Sequence, residues 1–235
     1  MTDGTLRIVN FNVHVNLAVS GGGTTWLVQH YHPDIFTLQE VIKAKPLRAK
    51  HPHYHCLPVS HPNQIGTYVL AKKDRFTVLR VENPDVTYGG EFPRRRTVAV
   101  LRDKVTGRVL VVGDIHAQPD GKRFRPSRRT ARAVRQAQFH SYANRMKAVP
   151  GNRAAFCAGD FNTWLKSPRS PAVKEMATAR MVPTYKVKGG RVRIDEIFFR
   201  PSTFLKLTRR AMLKVPTSGD DHDAILADFA LKGFS

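Results

Sequence analysis

The polar residues of this chain collect where apolar runs end. The first run closes as Asn10-Phe11-Asn12-Val13-His14, and the second as Leu38-Gln39-Glu40. A mid-chain run gives Gly113-Asp114-Ile115-His116, and a later one Gly159-Asp160-Phe161-Asn162. Near the C-terminus come Arg193-Ile194-Asp195 and Asp220-Asp221-His222-Asp223. Carboxylates, amides and imidazoles in these places suit a hard divalent cation and a phosphoryl group. Mg²⁺ or Mn²⁺ takes oxygen ligands, with one or two carboxylates completed by water and substrate phosphate. Taken singly, each motif also reads as ordinary structure. Gly-Asp-Phe-Asn has the residues of a turn, Gln-Glu those of a surface loop, and Asp-His those of a hydrogen-bonded structural pair.

The elements that must position these groups are mostly strands. Short runs rich in Val, Ile and Phe, bounded by Gly, Pro or Asp, predict strands over 6–13, 35–41, 66–73, 96–103, 108–117, 154–162, 193–199 and 224–231. The turn Lys104–Gly107 joins two of them as a hairpin. Three stretches predict helices: 24–32, opening on Thr24 as a cap; 127–149; and 171–180. In the second, Ala131, Val134, Gln138, Tyr142 and Met146 recur at steps of three and four, with Ser127 as its N-cap. Many strands with few helices point to an α/β sandwich in one domain, 1–235.

Composition narrows the class. A hydrophobic fraction of 41% in 235 residues supports a core and excludes a disordered chain. No apolar stretch reaches the ~18 residues of a membrane span. No signal-peptide pattern opens the chain, and two cysteines make no disulfide framework, so a reducing, cytoplasmic compartment is the expectation. Cys157 reads as a small buried hydrophobe. His51, His53, His55 and His61 lie without cysteine or carboxylate among them and read as solvated rather than as a zinc site. Gly21–Gly23 read as a flexible loop before the first helix.

Charge is the other strong signal. Lys and Arg number 39 against 18 Asp and Glu, a net +21. Self-repulsion on that scale implies an acidic partner, of which nucleic acid is the commonest and an anionic membrane surface another. Between Lys122 and Arg135 lie Arg123, Arg125, Arg128, Arg129 and Arg132, with no acidic residue. Arg128, Arg132 and Arg135 share a predicted helical face; Arg94–Arg96 form a second cluster, and Lys186, Lys188, Arg191 and Arg193 a third. A solvated face normally mixes both signs, so this one is read as phosphate contact.

In order and spacing, Phe11-Asn12-Val13, Leu38-Gln39-Glu40, Ile115-His116, Gly159-Asp160-Phe161-Asn162, Arg193-Ile194-Asp195-Glu196-Ile197-Phe198 and Asp221-His222 resemble the endonuclease/exonuclease/phosphatase superfamily, the deoxyribonuclease-I-like proteins. The resemblance covers almost the whole chain. It implies two packed β-sheets flanked by helices, with the site at one edge. It assigns Glu40, Asn12 and Asp221 to the metal, and Asp160 and Asn162 to water and phosphate. His222, oriented by Asp195, touches the scissile phosphate, with His116 as the second histidine. Asp220 stands where the family usually has Ser, and Asp114-Ile115-His116 where Asn-Thr-His is frequent.

Physical chemistry agrees with those roles. A bound cation neutralises a phosphate oxygen and lowers the pKa of water. A carboxylate accepts the water proton, and an imidazolium stabilises the leaving oxygen. The alternative partner for Asp195 is Arg191 or Arg193. The expected activity is a metal-dependent nuclease acting on nucleic acid, DNA first. The competing expectation is a phosphatase for phosphoinositides or other phosphorylated small molecules. A binding module without catalysis is disfavoured, because acidic groups facing phosphate would serve no purpose in it.

Overall fold

The computed structural model describes residues 4–14, 22–41, 44–57, 66–82, 96–119, 128–165, 167–185, 194–216 and 222–233, apart from the side chains of 44 and 128–130. Sheet A holds β1 (Gly4–Asn12), β2 (Ile35–Val41), β3 (Tyr54–Leu57), β4 (Gly66–Lys72), β11 (Leu205–Leu213) and β12 (Ala224–Leu231), in the order β11-β12-β1-β2-β4-β3. Sheet B holds β5 (Phe76–Glu82), β6 (Thr97–Asp103), β7 (Val109–His116), β8 (Ala154–Asp160), β9 (Val182–Pro183) and β10 (Asp195–Phe199), in the order β5-β6-β7-β8-β10-β9. Each sheet has one parallel pair at its centre, β1 with β2 and β7 with β8. Four helices accompany them: α1 (Gly22–Tyr31), α2 (Ala44–Lys50), α3 (Arg128–Lys147) and α4 (Pro171–Thr178).

Alternation along the strands divides the apolar residues into three layers. Leu6, Ile8, Ile35, Leu110, Val112, Phe156, Ile197 and Phe229 pack between the sheets. Val9, Phe11, Phe36 and Leu38 face the other side of sheet A with Leu27 of α1 and Leu47 of α2. Val111, Ile115 and Cys157 face the other side of sheet B, under Phe139, Tyr142 and Met146 of α3 and Met176 of α4. The predicted stripe of α3 is buried throughout, from Ala131 to Met146. Close approach of that helix requires glycine: a Cβ on Gly113 would lie 2.7 Å from the Tyr142 ring. Ser170 caps α4, its Oγ accepting from the Val173 N–H, with Pro171 at the first helical position.

The predicted central strands and the 104–107 hairpin are present. Strands β3, β5, β9 and β11 and helix α2 were not anticipated. Thr24 does not cap α1. It is the helix's third residue, buried, with Oγ1 3.1 Å from His51 Nε2. Gly22 and Gly23 likewise belong to the first turn of α1 rather than to a loop. His51 is buried against Tyr54 and Thr24 rather than solvated, because the loop after α2 folds back under α1. Ser127 lies outside the described residues. Among those described, no helix is long and apolar enough to cross a membrane.

The Gly159 backbone is at φ +145°, and a Cβ there would stand 1.9 Å from the Ile115 carbonyl oxygen. Gly159→Ala is therefore expected to destabilise the protein by more than about 2 kcal/mol, through strain and displacement of β7. The shift in the urea midpoint at unchanged slope measures it.

Candidate active site

The inter-sheet face changes character toward one end of the sandwich. On β1 the inward row runs Leu6, Ile8, Asn10, Asn12. On β2 it runs Ile35, Thr37, Gln39; on β7, Leu110, Val112, Asp114, His116; and on β8, Phe156, Ala158, Asp160. Strand order turns this pattern into a cluster. His116 pairs with Asp160 across the parallel β7–β8 ladder, and Asp160 pairs with Asp195 across the antiparallel β8–β10 ladder. His222 lies just before β12, which pairs with β1.

Glu40 would point away from this face by simple alternation. A bulge in the β2–β4 register between Leu38 and Val41, with Glu40 at φ +61°, redirects it. Bulges re-aim side chains in this way, and the left-handed backbone of a non-glycine residue costs about 1–2 kcal/mol. Glu40 Oε1 then lies 3.2 Å from Asn12 Nδ2 and 3.4 Å from His116 Nε2. Asn162, at φ +45°, donates its backbone N–H to Asp160 Oδ1 at 2.7 Å, and its amide to the Ala117 carbonyl at 2.9 Å. Asp160 Oδ2 accepts from Asn12 Nδ2 at 3.0 Å and stands 3.7 Å from His116 Nε2. His222 Nδ1 and Asp195 Oδ2 are 2.8 Å apart. Seven of the expected residues, Asn12, Glu40, His116, Asp160, Asn162, Asp195 and His222, thus form one site.

Burial controls its electrostatics. Asp160 is pushed up to about 7 by burial and then by the charge of Asp195, against the pull of His222 and the hydrogen bonds from Asn162 and Asn12. Burial also raises Asp195, while the hydrogen bond to His222 opposes it. For His222 burial works downward, but the hydrogen bond and charge of Asp195, with Asp160 and Glu40 behind, lift it to about 9. The imidazole therefore carries a proton at neutral pH.

Ligand atoms of Glu40, His116 and Asp160 all lie within 4.8 Å of one another, as do those of Asp160, Asp195 and His222. Two carboxylates in the first group form an oxygen-rich donor set that fits a hard divalent cation. Asp195 Oδ1 is buried with no hydrogen-bond partner among the described residues, so it retains an acceptor beside the site.

Asn12 presents its NH₂ to Glu40 and Asp160 while its oxygen accepts from the His14 N–H, so it also ties the two carboxylates together as a donor, a contact the sequence did not signal. Two expectations change. Arg135 is 6% exposed, and its Nη1 donates to the Gln118 carbonyl. It borders the buried stripe of α3 between Val134 and Gln138, so it clamps the loop after His116 instead of facing solvent. Arg96 donates to Ser141 Oγ and covers the Tyr142 ring, again toward α3. Arg132 is exposed on α3 as expected. Asp221, Arg125 and Arg191 lie outside the described residues, as do the side chains of Arg128 and Arg129.

Beneath the site lies a buried polar layer whose roles the motifs did not signal. Gln39 Nε2 donates to Asp114 Oδ1 at 2.6 Å and to Asn10 Oδ1 at 2.8 Å, and the Tyr68 N–H donates to Asp114 Oδ2. The detectable signal was the inward period of two, which puts Asn10 below Asn12 and Asp114 below His116.

Two mixed six-stranded sheets face to face, with an acidic and imidazole site at one end, define a deoxyribonuclease-I-like sandwich. A sequence profile of the endonuclease/exonuclease/phosphatase family matches residues 25–213, and the chain belongs to that family. Its members are hydrolases acting on phosphoester bonds and are generally divalent-metal dependent. No curated protein matched the chain by sequence. Several solved structures share the fold. An endonuclease/exonuclease/phosphatase from Bacteroides vulgatus superposes with a TM-score of 0.77 at 20% identity, over 97% of this chain and 100% of that one. D. rerio TDP2 complexed with single strand DNA product gives 0.74 at 21% identity, over 97% and 99%. The mannosyl-6-phosphatase of Bacteroides thetaiotaomicron gives 0.73 at 18% identity, over 95% and 99%.

The His222 ring is expected to titrate near pH 9 by NMR. In Asp195→Asn the strongest raising partner is gone while burial remains and Asp160 and Glu40 still raise the ring, so the titration should move down toward the ordinary imidazole value of about 6.5. A ring that still titrates near 9 in that variant would remove Asp195 as its cause.

Proposed function

We propose that this protein is a divalent-metal-dependent nuclease that hydrolyses phosphodiester bonds in nucleic acid, DNA first. The observation that carries the reading is charge: +21 on 235 residues, around a site whose own groups are largely acidic. Such a body attracts a polyanion, and the acidic site needs a cation before it can accept phosphate.

Glu40 would hold the ion, with Asp221 as its expected companion. When bound, the ion would neutralise a phosphate oxygen and acidify water. Asp160, held by Asn12 and Asn162, takes the proton from the attacking water. Its value of about 7 suits a base working near neutrality. His222, charged through Asp195, donates to the phosphoryl or leaving oxygen. His116 stands opposite, close enough to Glu40 and Asp160 to meet a second phosphate oxygen.

Plasmid DNA, RNA and a phosphoinositide, each with Mg²⁺, Mn²⁺ or EDTA, test the reading directly. Metal-dependent nicking supports it, and phosphate release from the lipid alone overturns it. Folded Glu40→Ala is expected to lose metal-dependent turnover. His222→Ala should lose about 10²–10⁴-fold. The double variant with Asp195→Ala should lose little more than His222→Ala alone, because residues acting as a unit are non-additive. Losses that multiply would uncouple the pair.

The surface arginines divide by exposure. On duplex DNA, Arg132→Gln should make the slope of log affinity against log salt shallower by about 0.9. Arg135→Gln should leave that slope unchanged and lower the melting temperature, since its guanidinium is committed to Gln118.

A further inference from the structure

We infer that Gln138 of α3 is a positioning residue for His116, acting through the backbone just beyond it. This deepens the nuclease reading and rests on the place that reading gives His116 beside the phosphate. Along the buried stripe of α3, Gln138 is the amide among Ala131, Val134, Tyr142 and Met146; at 1% exposure it needs polar partners inside the protein. Its Oε1 accepts the Gln118 N–H at 2.9 Å. Arg135, three residues earlier, donates Nη1 to the Gln118 carbonyl at 2.9 Å. Tyr142, four residues later, donates its hydroxyl to the Asp114 carbonyl at 2.6 Å.

Steps of three and four put Arg135, Gln138 and Tyr142 in one row along the helix. The row meets β7 and its continuation in reverse order. Tyr142 holds the chain two residues before His116, and Arg135 and Gln138 hold it two residues after. Seven residues of helix advance about 10.5 Å, and the four from Asp114 to Gln118 cover at most about 14 Å, so the row and the segment it grips match in length. From β8 the same segment is held at Ala117, whose N–H donates to the Asp160 carbonyl and whose carbonyl accepts from Asn162 Nδ2, each at 2.9 Å. His116 thus stands midway between two α3 contacts, with Nε2 3.4 Å from Glu40 Oε1 and 3.7 Å from Asp160 Oδ2. A misplacement of about 1 Å at such a group costs on the order of 10²-fold in rate.

Gln138→Met keeps the side-chain volume and removes the acceptor. In the folded variant, kcat on plasmid DNA with Mg²⁺ should fall about 10-fold or more while KM stays within about twofold. The His116 ring signals, assigned by their loss in His116→Ala, should shift or broaden in its NMR spectrum. In a His116→Ala background the same substitution should change kcat by less than about twofold, because a residue that acts through another then has nothing left to position. Arg145→Gln is the control. It frees α3 from Glu82 of β5, two strands away from β7, and should lower the melting temperature with kcat unchanged. Should Gln138→Met not fold, Tyr142→Phe takes its place, with the same fall in kcat and the same dependence on His116. Losses that multiply, unmoved ring signals, or an equal fall in kcat in Arg145→Gln would overturn the assignment. A wild type that cleaves no nucleic acid overturns the nuclease reading instead, and the ring signals still decide the positioning.

Discussion

The hydrogen bond from Gln39 of β2 to Asp114 of β7, at 2.6 Å, crosses from sheet to sheet directly under the site, beside that from the Tyr68 N–H of β4 to the same carboxyl. Everything above it depends on how the two sheets meet there. Gln39 precedes Glu40, and Asp114 stands two residues before His116, so the bond sets the Glu40 and His116 backbones against each other. Both partners are fully buried. Burial holds the Asp114 carboxyl well above its ordinary range, and the donors Gln39, Tyr68 and Leu38 only partly oppose this. Removing either partner would leave a buried polar group unsatisfied, at about 1–3 kcal/mol. Tyr142 of α3 extends the tie by donating its hydroxyl to the Asp114 carbonyl at 2.6 Å. The long helix is thereby coupled to the same point.

The site is assembled against local preference. Glu40 and Asn162 both hold left-handed backbone, and Gly159 holds a conformation that no side chain fits. Such strain persists where surrounding packing over-determines it. Here the inter-sheet core on one side and the α3 layer on the other do so. The result is a compact set of carboxylates and imidazoles whose burial shifts their proton affinities in useful directions: Asp160 toward neutrality and His222 toward permanent charge.

The basic residues fall into two groups. Some hold the fold. Arg7 pairs with Asp228, Arg75 joins Asp34 to Asp103, Arg145 pairs with Glu82, and Arg135 clamps the Gln118 loop. Others lie exposed at the surface, Arg132 on α3 and Lys206 and Arg209 on β11 among them.

The central strands were legible because they are buried on both faces and read as apolar runs. The four strands that went unread, β3, β5, β9 and β11, are the four sheet edges. An edge such as β11, with Lys206, Arg209 and Arg210, carries charge where a central strand carries Val or Ile, so its sequence hides its conformation. The polar groups at the strand ends were legible too, since the family resemblance in their types and order names Glu40, His116, Asp160, Asp195 and His222, which the structure brings to one place. What only tertiary structure decided was direction. Alternation alone turns Glu40 outward, and a bulge set by pairing with β4 turns it in. Helical spacing alone puts Arg135 beside Arg132, and a carbonyl 17 residues earlier in the chain draws it into the protein. Sequence determines which groups are present and at which end of each strand. Their mutual distances depend on register and packing between segments far apart in the chain, and these exist only once the two sheets close on each other.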